Sequence, residues 1–208
     1  MFVLNIFLFR YYIMDPINIL VAINLFASIT ANYSGAKKGI KSKLSNTIIK
    51  PKTYLQKVPP NIAALVFLLT ILAIFNIGTF SEEIKKNYYS YRIIGLIFFV
   101  IFSWIQVYSY KYLGENYSQE ILIFKNHNLI NKGFYRFIRH PQYVSQILSD
   151  LGVGVALMGY LVIPIVLILE IPLFILRAKK EEEIFEKHFR SEFTSYKEKT
   201  GFFFPFIG

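Results

Sequence analysis

Hydrophobic residues in this chain are gathered into four blocks separated by charged or polar connections. The first opens at Pro16 and runs from Ile17 to Ala31, and the second, Val58 to Phe80, carries no charge. The third, Ile93 to Tyr110, is also uncharged, and the fourth, Tyr143 to Leu176, carries only Asp150 and Glu170. Roughly 20 apolar residues in helical form cross the hydrocarbon of a bilayer. The pattern therefore predicts spanning helices that start at Pro16 and at Pro59-Pro60, and a third that ends near Lys111. Gly159 and Pro164 divide the fourth block into two arms, each short for a full crossing, which predicts a helical hairpin that goes in and comes back. After Arg177 the chain becomes charged. Ile184, Phe185, Phe189, Phe193 and Tyr196 then recur at the spacing of an amphipathic helix lying on the membrane face. The predicted fold class is all-α and polytopic, with about five transmembrane helices including the C-terminal hairpin, followed by an amphipathic cytoplasmic helix. Met1 to Ile13 lacks the basic start and small-residue cleavage site of a signal peptide, and reads as an interfacial segment or an extension of the first helix. Met1 and Met14 are both candidate starts.

Composition agrees with a bilayer as solvent, since 54% of residues are hydrophobic and only 17% are charged. With the blocks taking up most of the chain, an active site has to be built from helix ends and short connections. The organisation predicted is residues 1–112 as N-terminal transmembrane helices, about three, with a Lys-rich loop, and residues 113–208 as the chemical core. The net charge of +10 raises nucleic acid as a partner. The lysines, however, flank apolar blocks, and Lys37, Lys38, Lys41, Lys43, Lys50, Lys52 and Lys57 lie between Tyr33 and Val58 with no acidic residue. That is the signature of a loop retained in the cytoplasm, and no nucleic acid is expected. The absence of cysteine excludes thiolate chemistry, and three histidines are a poor metal inventory, so no metal site is expected.

Two segments carry chemistry. The loop from His127 through Gly133, Tyr135, Arg136, Arg139 and His140 enters the hairpin at Pro141, and a helix start with free N–H groups holds anions or carboxylates. Arg136 and Arg139 also suit lipid phosphate at a membrane edge. At the other end, Arg177 and Glu181 share a helix face, with Glu170 seven residues earlier on nearly the same stripe. Tyr143, Gln146 and Asp150 form a second stripe on the facing arm, which predicts two polar stripes around a shared cavity. Asp150 and Glu170 are carboxylates inside the apolar block and need protein or water beside them, in a chemical or a passive role. Gly152-Val-Gly154 has no preceding strand and no third glycine, and reads as a helix packing site rather than a nucleotide loop.

Taken together, HNLINKGFYRFIRHPQY, an apolar hairpin, RAKKEEEIFEKHFRSEFTSY and KTGFFFPFIG resemble the isoprenylcysteine carboxyl methyltransferase family and the related phospholipid methyltransferases, in order and spacing from about Leu113 to Gly208. Tyr117 stands where the family has Trp, Ser145 and Arg190 where it has Gly, Phe193 for Tyr and Ile130 for Val. The resemblance implies an S-adenosylmethionine-dependent methyltransferase with the cofactor held by His127, Leu129, Gly133, Tyr135, His140, Tyr143, Glu181 and Glu182 under a C-terminal lid. It implies Arg139 and Arg177 as catalytic residues beside an anionic acceptor. The acceptor is expected to be lipophilic, such as a prenylated cysteine carboxylate, with membrane lipid around it and the active site facing the cytoplasm. An NADPH-dependent reductase of the sterol type, and a non-catalytic membrane protein or transporter using Asp150 and Glu170, are the rival readings.

Overall fold

The protein is described here from a computed structural model that places residues 15–42 and 47–207, with backbone only for 34–42. The segment Met1 to Ile13 lies outside the described residues. Helix α1, Pro16–Ser42, starts where the sequence predicts, with the Ile17 N–H donating to Asp15 Oδ1 at 2.8 Å. It runs on well past Ala31, because loss of hydrophobicity marks where a helix leaves the bilayer, not where its backbone hydrogen bonds stop. After a short strand β1, Thr47–Ile49, come α2, Val58–Ile74, the short α3, Glu82–Asn87, and α4, Tyr89–Leu113. Among the described residues, three helical stretches are long and apolar enough to cross a membrane: Pro16–Tyr33, Tyr54–Ile74 and Tyr89–Asn116.

The hairpin follows as α5, Pro141–Leu157, and a returning arm made of α6, Val162–Ile165, a π-helical turn, Val166–Glu170, and α7, Ile171–Phe189. Met158 closes α5 in the left-handed conformation at φ 52°. The tip is level with the turn between α2 and α3: the Phe80 N–H donates to the Met158 carbonyl at 3.1 Å, and Thr79 pairs with Gly159. The hairpin tip thus reaches the end of the molecule at which α2 closes. The 17 residues of α5 suffice for this, rising about 25 Å.

Two further features depart from the pattern. The chain is mostly helical, but β1 pairs antiparallel with β2, Ile123–Phe124, in a two-stranded ribbon too short for any alternation to predict. The amphipathic helix expected after Arg177 is broken at Arg190 (φ 46°, ψ −115°) into α7 and α8, Ser191–Lys199.

Close packing of α4 on α5 rests on glycine. A Cβ at Gly152 would meet the Phe99 backbone nitrogen at 2.6 Å, and one at Gly95 would meet the Ala156 nitrogen at 2.6 Å. Gly152 therefore serves helix approach, as its sequence context predicts. Phe99, Val153, Ala156 and Leu157 continue this contact into a core with Ile17 and Val21 of α1. At the hairpin-tip end, buried Arg92 donates to Asp15 Oδ2 at 2.8 Å, to the Ala156 carbonyl at 2.9 Å and to Asn18 Oδ1 at 3.3 Å. Asn18 in turn donates to the Ile74 carbonyl at 2.9 Å. One guanidinium thereby ties the ends of α1, α2, α4 and α5 together.

Candidate active site

The loop before α5 and the end of the returning arm meet at the opposite end of the molecule from the hairpin tip. Gly133 makes the loop's turn at φ 58°, and a Cβ there would lie 2.2 Å from the Tyr112 ring, so only glycine fits. The loop then delivers Arg139 and His140, both buried, to the start of α5 at Pro141. Glu182 Oε1 receives both of them, from Arg139 Nε at 2.6 Å and against His140 Nε2 at 3.0 Å. Burial opposes ionisation of Glu182, but the His140 ring and the Arg139 guanidinium more than offset it and hold its carboxyl below the usual range.

One turn along each helix a second set of contacts repeats the theme. The Tyr143 hydroxyl donates to Glu181 Oε1 at 2.5 Å, and Arg177 Nε donates to the Tyr143 oxygen at 2.7 Å and to Glu181 at 3.3 Å. The other guanidinium nitrogens of Arg177 donate to the Leu55 carbonyl at 3.0 Å and the Gln119 carbonyl at 2.6 Å. Arg177 thereby fixes the connections before α2 and after α4 to the hairpin.

These contacts wall a cavity of about 450 Å³. Of the residues singled out in the sequence, His127, Leu129, Tyr135, Arg139, His140, Tyr143, Arg177 and Glu181 line it. Gly133 does not line it but shapes the loop, and Glu182 stands behind the wall, holding Arg139 and His140. Sequence reasoning missed Gln56, Asn61 and Tyr110 on the wall, and assigned Phe185 and Tyr196, which also line it, to a face lying on the membrane. It found Gln146 only as a member of the stripe with Tyr143. Tyr117 lines the cavity, with its ring 4.8 Å from Tyr110. Ser145 is buried away from the cavity and donates to the Pro141 carbonyl at 2.6 Å.

Aromatic rings close the far wall. The His127 ring stacks on Phe124 at 5.8 Å and meets Phe185 edge-on at 5.5 Å. Burial, with His188 nearby adding to it, pushes the His127 imidazole down to about 4. Its Nδ1 is buried without a hydrogen-bond partner among the described residues, an arrangement that a bound ligand would satisfy. The C-terminal strap covers the Arg139 side: the Arg139 N–H donates to the Gly201 carbonyl at 2.8 Å, the Gly201 N–H to Phe137 at 3.0 Å, and Phe202 packs 5.2 Å from the His140 ring.

An apolar helical scaffold holding a polar, aromatic-walled cavity at one end is the architecture of a membrane-embedded enzyme, and residues 94–187 match a methyltransferase family. The family is that of the isoprenylcysteine carboxyl methyltransferases (ICMT), to whose pattern this stretch of the chain is similar. No curated protein matches the chain. Among solved structures, it is similar to that of the eukaryotic intramembrane Ras methyltransferase ICMT without a monobody. The TM-score is 0.64 at 20% identity, over 94% of this chain and 70% of that one, a likeness that concerns the fold. The match of residues 94–187 to a methyltransferase family weighs against the reductase and transporter readings.

Proposed function

We propose that the protein transfers a methyl group from S-adenosylmethionine to a lipophilic acceptor, most naturally the carboxylate of an isoprenylcysteine-like molecule, with the site opening to the cytoplasm. The observation that carries this reading is the single cavity that joins the His127–Tyr143 loop to the Arg177–Glu182 helix end, with an orphaned buried nitrogen on His127. The donor set fits the cofactor. Glu181 offers a carboxylate for an ammonium or for ribose hydroxyls, and His127, Phe185 and Leu129 form a ring-sized wall.

When bound, the sulfonium supplies an already activated methyl group, so the protein's part is alignment and exclusion of water. Glu182 keeps His140 and Arg139 in place, and Gly133 sets the loop that carries His127 and Tyr135. The strap Thr200–Phe203 shields the Arg139 edge. Arg177, on the wall beside Tyr143, places a cation where an acceptor carboxylate would sit; such an acceptor needs no general base at neutral pH. Arg139, already engaged by Glu182 and by the Thr200 carbonyl, adds positive charge while fastening the strap. A tail reaches the cavity between α2 and the returning arm, where Pro60, Ala63 and Phe174 give an apolar flank.

Titrating purified protein with S-adenosylmethionine, then supplying labelled cofactor with N-acetyl-S-farnesylcysteine, tests the reading. Saturable binding that Glu181→Ala weakens at least tenfold is expected, with label appearing as a base-labile methyl ester. Failure of the wild-type protein to bind the cofactor ends the proposal.

A further inference from the structure

Asp150 and Glu170 have no part in the chemistry described so far, and they are costly. A carboxyl group inside a spanning hairpin loses several kcal/mol of hydration unless its surroundings compensate. Glu170 is fully buried, at the end of the π-helical turn Val166–Glu170, a distortion that often marks function in helices. Asp150 is its electrostatic neighbour across the hairpin, and Glu170 Oε2 is buried with no hydrogen-bond partner among the described residues.

What the pair holds on its cavity side is a chain of amides. Gln146 Nε2 donates to Glu170 Oε1 at 3.2 Å, Gln106 Nε2 donates to Gln146 Oε1 at 3.0 Å, and Gln106 Nε2 also reaches the Tyr110 oxygen at 3.4 Å. The direction of this chain is decided at its buried end. Glu170 Oε1 accepts, so Gln146 turns its NH₂ toward it and its carbonyl toward Gln106. Gln106 spends one N–H on that carbonyl and has the other for Tyr110. The Tyr110 oxygen is thereby an acceptor within the protein, and its own proton is left to give away. Tyr110 and Gln146 both line the cavity, and no acceptor for the phenol proton is present among the described residues.

We infer that Tyr110 is a substrate-contacting residue whose hydroxyl donates to an oxygen of the methyl acceptor's head group, and that Glu170, Gln146 and Gln106 are positioning residues that fix this polarity. The inference rests on the methyltransferase reading above and narrows it: the acceptor presents a hydrogen-bond-accepting oxygen, carboxylate or carbonyl, at the inner end of the cavity, where hydrocarbon alone would leave the hydroxyl unsatisfied.

The test uses the full-length protein in detergent, with labelled S-adenosylmethionine and N-acetyl-S-farnesylcysteine. Tyr110→Phe keeps the ring and removes only the donor, so the acceptor KM is expected to rise about tenfold while the cofactor Kd stays within twofold. Glu170→Gln keeps the shape but can donate as well as accept. It is expected to raise the acceptor KM several-fold in the wild-type background and to add nothing on top of Tyr110→Phe, because both act through one proton. An acceptor KM within twofold of wild type for Tyr110→Phe, with cofactor binding intact, overturns the inference. An equal Glu170→Gln effect in both backgrounds overturns the positioning chain. Loss of cofactor binding by the wild type would instead remove the methyltransferase reading itself.

Discussion

At the scale of single residues, His127 shows how far burial alone can set chemistry. Its ring is packed among Phe124, Phe185 and Phe189, with the His188 side chain nearby. In the folded protein it protonates at about 4, against 6.5 when unfolded. Because the folded value is the lower one, the unfolded chain takes up the proton first. Stability is full above about pH 6.5, falls as the pH drops toward 4, and levels off below that. After allowing for the partial exposure of the ring, the loss at pH 5 should be about 1 kcal/mol. Thermal unfolding in detergent between pH 7 and pH 5 measures it, and His127→Phe, which suits the aromatic cluster, should flatten the slope. Residues of this kind were visible in the sequence as letters in a motif. Their partners were not, since the bond between Tyr143 and Glu181 joins positions 38 apart and depends on how the hairpin folds back. Gln56 and Asn61 went unnoticed for the same reason: nothing local distinguishes them until Arg177 pulls the connection before α2 against the hairpin.

Among the elements, hydrophobic patterning located the three helices long and apolar enough to cross a membrane among the described residues, and misjudged where helices run on into polar sequence. The helix α1 continues to Ser42, and the amphipathic run breaks in two at Arg190. The break has a specific cause. Arg190 sits at φ 46° and ψ −115°, a region that glycine enters freely and other residues enter only with strain. It occupies the position where the family pattern carries glycine, so the departure noted in the sequence falls on a conformational requirement. Its N–H still donates to the Glu186 carbonyl at 3.0 Å, closing α7. Arg190→Gly should relieve about 1 kcal/mol and raise the melting temperature by a few degrees. It should leave cofactor affinity unchanged, since Arg190 does not line the cavity. A lower melting temperature would show that the arginine side chain contributes more than its backbone costs.

For the molecule as a whole, two polar networks hold the hairpin, one at each end. One end holds the cavity, with Gln56 and Lys57 of the connection before α2 on its wall. The other holds the Arg92 network, together with Lys85, which is also buried and donates to Asn76 Oδ1 at 2.6 Å. Both ends are needed for the hairpin to work as a spacer: Arg92 pins its tip through the Ala156 carbonyl, while Arg177 and Glu182 pin its open end. The excess of lysine between residues 33 and 58 is the reason for proposing that this axis points the cavity toward the cytoplasm. The chain contains no cysteine, so single introduced thiols report orientation without any background. Lys52→Cys, on the cavity side, should react with a membrane-impermeant maleimide only after cells are opened. Tyr88→Cys, exposed near the hairpin tip, should react in intact cells. Labelling in the reverse order would place the cavity outside, where cytoplasmic S-adenosylmethionine has no access, and would refute the proposed function along with the topology.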